Sequence, residues 1–143
     1  MNKSILLVDD NPNDRMLTVR ALKKSNIANR IDEVKDGQEA LDYLFAEGNY
    51  SHRDAGELPQ VVLLDLKLPK LDGLEVLERL RAHPSTKRLP VVMLTSSREQ
   101  QDLIRSYDLG VNSYVRKPVD FNEFSDAARQ LGIYWLLLNE VPA

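Results

Sequence analysis

Three aspartates, a threonine and a lysine stand directly behind short apolar runs in this chain. Asp9 and Asp10 follow Ile5 to Val8, Asp65 follows Val61 to Leu64, Thr95 follows Val91 to Leu94, and Lys117-Pro118 comes just after Tyr114 to Val115. Carboxylates bind hard cations or act as oxygen nucleophiles, while a hydroxyl and an ammonium supply donors to an anion. Cysteine is absent and the two histidines are isolated. That excludes a thiolate nucleophile, a disulfide framework and a thiolate zinc site, so any metal must be held by oxygen. Taken singly, each group has an ordinary reading: paired acids are often a solvated loop, a strand-end threonine a cap, a lysine an exposed charge. Taken together, four strand ends of five carry polar groups of complementary type behind apolar strands, which points to one site.

The elements that must position these groups are legible from the same runs. Ile5 to Val8, Val61 to Leu64 and Val91 to Leu94 are strand-length and continuously apolar, as strands covered on both faces by helices are. Weaker runs lie at Ile31 to Val34 and Tyr114 to Val115. Between them the spacing is helical. Leu17, Ala21 and Leu22 share a face, as do Leu74, Leu77 and Leu80, then Leu103, Ile104 and Tyr107, then Phe121, Phe124, Ala128 and Leu131. Strand and helix thus alternate five times, which predicts right-handed βαβ units and a doubly wound five-stranded parallel sheet of the α/β class. Asn11 is placed to cap the first helix with Pro12 at its first position, and Gly37, Gly73 and Gly110 mark changeovers. Ligands of such sheets bind beyond the carboxyl ends of the strands, near the reversal of strand order. If the order is 2-1-3-4-5, the first and third strands are neighbours and Asp9, Asp10 and Asp65 converge.

Length and charge bound what else the chain can be. Its 143 residues fit one domain, and 43% apolar against 29% charged residues is the balance of a globular protein with a real core. The formal net charge of -3 leaves no basic face for phosphate backbones, so direct nucleic-acid binding is not expected. No apolar run reaches the length of a membrane span and the start does not read as a secretory signal, so the expected compartment is the cytoplasm without membrane insertion. Ala46 to Pro59 is a polar loop of unusual length, the kind that tends to be functional or mobile.

The segments Leu6-Leu7-Val8-Asp9-Asp10-Asn11, Leu63 to Gly73, Leu94-Thr95-Ser96 and Tyr114-Val115-Arg116-Lys117-Pro118 resemble the receiver domain of two-component response regulators, over nearly the whole chain. The resemblance implies a flavodoxin-like receiver fold with strand order 2-1-3-4-5 and a single response regulatory domain over 1–143. It implies Asp65 as the phosphoacceptor, Asp9 and Asp10 as metal-binding acids, and Thr95 and Lys117 as the groups that hold phosphoryl oxygens. Tyr114 takes the switch-aromatic position, and the bond before Pro118 is expected cis. The implied cofactor is Mg2+, held by Asp9, Asp10, Asp65 and the main-chain carbonyl of Lys67. Such a domain is not an enzyme on other substrates and catalyses only its own phosphorylation and dephosphorylation. Its expected partners are a histidine kinase and a downstream protein or phosphotransfer partner, which the sequence does not name.

Departures from the common pattern carry further expectations. Lys67, two residues after the acceptor, is long and cationic, and its ammonium is able to shield an acyl phosphate. Ser96, just after Thr95, is small, as the receiver family prefers for access to the acceptor. Ile133 to Leu138, Ile-Tyr-Trp-Leu-Leu-Leu, is apolar all round within a C-terminal helix extension at about 132–140, which suggests a homodimer. With the long loop, this extension makes the chain similar to the small stand-alone receivers that pair with bacterial phytochromes. Two other classes fit less well. A phosphatase resembling the haloacid dehalogenases needs a second aspartate where Lys67 stands. A flavin- or nucleotide-binding module needs a phosphate-cradling loop where Asp9 to Asp14 is acidic.

Overall fold

In the computed structural model, residues 4–24, 27, 29–117, 122 and 126 are described. Along the chain run β1 (Ile5–Val8), α1 (Pro12–Lys24), β2 (Ile31–Val34), α2 (Gly37–Phe45), a 3-10 turn (Gly48–Tyr50), β3 (Val61–Asp65), α3 (Gly73–Ala82), β4 (Val91–Thr95), α4 (Gln100–Asp108) and β5 (Ser113–Arg116). The sheet order is β2-β1-β3-β4-β5 and every pairing is parallel. This is the flavodoxin-like arrangement expected from the sequence.

Alternation along the strands divides the core into two layers. Leu6, Val8, Val62 and Leu64 face α2 and α3, where Leu44, Leu77 and Leu80 are fully or almost fully buried. Ile5, Leu7, Val61, Leu63, Val92 and Leu94 face the other side, where Leu22 of α1 packs on them. Both faces being covered explains why β1, β3 and β4 read as unbroken apolar runs. β2, at the sheet edge, keeps Asp32 and Glu33 half-buried or exposed, so its run is weaker.

Register delivers the functional groups to one end. Val8 lies opposite Leu64, and Asp65 opposite Leu94, so the residues beyond β1 and those at the end of β3 are neighbours. Two Asp-Gly-x-Glu segments start α2 and α3: Asp36 accepts from the Glu39 N–H at 2.7 Å, and Asp72 from the Glu75 N–H at 2.9 Å. The glycine in each allows a close backbone approach. A Cβ on Gly73 would stand 2.2 Å from the Asp65 carbonyl oxygen, and one on Gly37 2.0 Å from that of Leu71. The loop from Leu66 to Asp72 is therefore clamped between the starts of both helices.

Two helix faces differ from expectation. Leu22 is buried as expected, but Leu17 is 47% exposed and α1 buries Thr18 in its place. Arg15 turns the helix this way, donating to the Asp9 carbonyl at 2.7 Å and pairing with Glu33 at 3.3 Å. In α4, Ile104 and Tyr107 are half exposed while Asp102 and Ser106 are buried. Polar partners, described below, outweigh the apolar periodicity there. The long loop from Ala46 to Pro59 is fastened down: the Arg53 guanidinium lies 3.6 Å over the Tyr43 ring and donates to the Tyr43 and Glu57 carbonyls, and the Tyr50 hydroxyl donates to Glu39. The expected helical face at Phe121 to Leu131, the bond before Pro118 and the extension at 132–140 lie outside the described residues.

Candidate functional site

β1, β3, β4 and β5 end on the same edge of the sheet, and Lys117, just beyond β5, reaches back across it. Its Nζ lies 2.7 Å from Asp9 Oδ2, 2.9 Å from Asp65 Oδ2 and 3.1 Å from Asp14 Oδ2. Asp9 and Asp65 are buried, while Asp10 stays exposed at the rim. Parallel pairing supplies the reach, since the Lys117 N–H continues the β4–β5 ladder by donating to the Thr95 carbonyl at 2.9 Å. Burial works against the Lys117 charge, but hydrogen bonding to Asp9 and Asp65 and their negative field outweigh it. The ammonium is held protonated above the ordinary lysine range. For Asp65 the balance is the reverse: burial pushes its pKa up, Lys117 opposes, and the Asp9 charge adds to the rise.

The remaining groups sit around this cluster. Asp9 is fixed by the Asn11 N–H, which donates to Oδ1 at 3.0 Å, while Asn11 itself caps α1 by accepting from the N–H groups of Asn13 and Asp14. Thr95 is fully buried at the end of β4, and its Oγ1 accepts from the Ser97 N–H at 3.0 Å. Ser96 is exposed. Tyr114, half-buried on β5, has a hydroxyl with no hydrogen-bond partner, although Ser97 is near enough to act on its ionisation. Burial raises that phenol above its ordinary pKa. The Lys67 N–H points at Asp65 Oδ1, at 3.4 Å, but its ammonium turns away and lies 3.9 Å from Asp102 Oδ2.

The donor set fits a hard divalent cation. Asp9, Asp10 and Asp65 each offer an oxygen, all within 4.8 Å of one another. Asp9 Oδ2 is buried, and Lys117 is its charge partner at 2.7 Å. Two carboxylates about 4 Å apart repel by about 4 kcal/mol at an effective dielectric near 20, so the cluster favours additional positive charge. An oxygen-only site of this kind suits magnesium or manganese better than zinc.

The structure thus brings Asp9, Asp10, Asp65, Thr95 and Lys117 to one end of the sheet, as expected from the sequence, with Tyr114 on the adjoining strand. Two participants were not singled out there. Asp14 is one turn into α1 behind Asn11, and only the length of the Lys117 side chain brings the two together. Asp102 lies among polar neighbours whose spacing carries no motif.

Comparison with known proteins agrees with this geometry. The family model for the response regulator receiver domain matches residues 5–129. Among curated proteins, the chain is 42% identical over 139 residues to the probable methanogenesis regulatory protein FilR2 of Methanothrix harundinacea (strain 6Ac), covering 96% of this chain and 86% of that one. It is 38% identical over 141 residues to the response regulator Rcp1 of Synechocystis sp. (strain ATCC 27184 / PCC 6803 / Kazusa), covering 99% and 94%. A crystal structure of Rcp1 in its Mn2+-bound form superposes with a TM-score of 0.76, covering 99% of each chain. The bacteriophytochrome response regulator AtBRR superposes with a TM-score of 0.88 at 56% identity, covering 98% of this chain and 99% of that one. A receiver-type sheet with its acids, hydroxyl and lysine at one end, matched over nearly the whole chain, places this protein in the response regulator receiver domain family of two-component systems.

Proposed function

We propose that the chain accepts a phosphoryl group from a histidine kinase onto Asp65 and signals through the resulting change of shape to a partner protein in the cytoplasm. The observation that carries this reading is the buried Asp65 carboxylate at the end of the central strand, 2.9 Å from Lys117 and beside Asp9 and Asp10. An Asp65 oxygen forms a bond to phosphorus as the phosphorus–nitrogen bond of the phosphohistidine breaks; the ring, already protonated at its other nitrogen, takes the bonding pair and leaves as neutral imidazole. Catalysis here is mostly positioning and charge neutralisation. Asp9, Asp10 and Asp65, with the Lys67 carbonyl, would hold Mg2+, whose chemistry is to offset the negative charge shared by nucleophile and phosphoryl group. Lys117 supplies a fixed positive charge to a phosphoryl oxygen, and the Thr95 hydroxyl a hydrogen bond once phosphorylation adds acceptor oxygens. Movement of Thr95 then leaves room for Tyr114, whose hydroxyl is unpartnered, to turn inward. The chain processes no other substrate in this reading.

By its likeness to AtBRR, the donor is a kinase of the phytochrome class. The test is phosphotransfer from such a kinase, after its autophosphorylation, with an unrelated histidine kinase for comparison. Magnesium-dependent transfer to this chain, faster from the phytochrome-class donor, is expected. No transfer, or transfer indifferent to a chelator, would overturn the reading.

Lys67 tunes the lifetime of the product. When the ammonium leaves Asp102 it is able to pair with the acyl phosphate and obstruct an in-line water. Lys67→Asn should therefore lose its label about two- to fivefold faster than wild type, the scale of an exposed ion pair. Decay followed by intact mass checks this, and equal or slower loss would remove the shielding role.

Self-association through Tyr134, Trp135 and Leu136 to Leu138 belongs to the same proposal and rests on their composition. Sedimentation at micromolar concentration should show a dimer that Trp135→Ala weakens. Monomers throughout would dismiss it.

A further inference from the structure

Three elements meet at the carboxylate of Asp102. It is 7% exposed in the first turn of α4, a buried acid outside the metal cluster. The Ser97 hydroxyl donates to its Oδ2 at 2.6 Å, and Lys67 Nζ lies 3.9 Å from the same oxygen. The main chain is tied as well, since the Ser106 hydroxyl donates to the Asp102 carbonyl at 2.7 Å. Ser97 in turn accepts from the Glu99 N–H at 3.2 Å and donates its own N–H to Thr95 Oγ1. Asp102 therefore touches the loop that follows Asp65 through Lys67, and the loop that follows Thr95 through Ser97.

We infer that Asp102 is a positioning residue for the phosphoryl chemistry at Asp65, holding the Lys67 ammonium on the α4 side so that an arriving phosphoryl group must compete for it. This rests on the reading of Asp65 as the acceptor. A phosphoryl group brings roughly two negative charges and several acceptor oxygens. It draws Lys67 toward itself only by taking the ammonium from the Asp102 carboxylate, and with the lysine largely exposed and 3.9 Å away that competition has the modest size of a partly exposed ion pair. The exchange lowers the site's affinity for the phosphoryl group. It also carries the event to α4, because the residue that loses its cation belongs to that helix.

The role is distinct from that of an ordinary acid in a first helical turn, which would favour the helix dipole whether or not Lys67 is present. Beryllofluoride with Mg2+, a phosphoryl mimic, separates the two in a double-mutant cycle. Asp102→Asn keeps an oxygen able to accept from Ser97 and removes the charge. It should raise beryllofluoride affinity about two- to fivefold, the coupling expected of a partly exposed ion pair. In a Lys67→Asn background the same change should have no effect, and Asp102→Glu, which retains the charge, should stay close to wild type. A gain that persists without Lys67, or no gain at all, would overturn the inference. The free protein gives a reading that needs no phosphoryl mimic. The side-chain ammonium NMR signal of Lys67 should move in Asp102→Asn, and an unmoved signal would overturn the placement directly. A moved signal in a chain whose wild type binds no beryllofluoride would instead sink the Asp65 reading, and this role with it.

Discussion

Replacing Lys117 with methionine should lower the melting temperature in metal-free buffer by roughly 10 °C, and by much less in excess magnesium. One ammonium faces three carboxylates at 2.7, 2.9 and 3.1 Å, two of them buried. Removing one partner of a buried ion pair typically costs about 3 to 5 kcal/mol because the other charge stays behind, and each kcal/mol moves the midpoint of a domain this size by about 2 to 8 °C. The penalty exists because Asp9 and Asp65 repel without a cation. A metal bound by those carboxylates stabilises the folded state by mass action, at about 2.7 kcal/mol for a hundredfold excess over Kd. The variant should therefore show a larger magnesium-induced rise in Tm than wild type, while labelling of Asp65 falls about a hundredfold for want of a fixed charge on the phosphoryl oxygen. Asp10→Ala should do the opposite to metal binding, weakening it. A Lys117 variant with the same loss of Tm in both buffers would mean that metal and lysine do not share these carboxylates.

How much of this was readable beforehand follows from where each residue's constraint lies. β1, β3 and β4 could be read because both faces are buried, so every residue in the run had to be apolar, and the polar residue ending each run stands at the carboxyl edge of the sheet, where ligands of such sheets bind. Asp9, Asp10, Asp65 and Thr95 were found this way without any knowledge of contacts. The inward faces of α1 and α4 could not be read in the same way. Leu17 lost its place to Thr18 because Arg15 docks on the Asp9 carbonyl, and Asp102 and Ser106 displaced Ile104 and Tyr107 because Ser97 and Lys67 satisfy a buried carboxylate. Those partners are polar and lie in loops outside the helices they steer, Asp9 and Ser97 just ahead of α1 and α4 and Lys67 far from α4 in sequence, so hydrophobic periodicity has no access to them. Asp14 escaped for a similar reason, being one of several acids in Asp9 to Asp14 and distinguished only by lying within reach of a lysine at position 117.

Asp65→Asn should remove the phosphoryl label altogether while leaving the fold intact. Asparagine has the same shape, its side-chain oxygen can still accept from Lys117, and losing the charge relieves repulsion from Asp9 in a site where burial already disfavours the Asp65 carboxylate. Loss of label in a variant that melts no earlier than wild type is then loss of the nucleophile. Asp9, Asp10 and Asp14 are also near Lys117 or the metal cluster, so the variant alone leaves open whether Asp65 holds the phosphoryl group or supports a neighbour that does. Chemical trapping distinguishes these. Borohydride reduces an aspartyl phosphate to homoserine with release of phosphate, and peptide mass mapping locates the converted position. In wild type labelled in the presence of magnesium, conversion is expected at position 65 and nowhere else; conversion at position 9, 10 or 14, or an unconverted chain that nevertheless carries phosphate, would contradict the account.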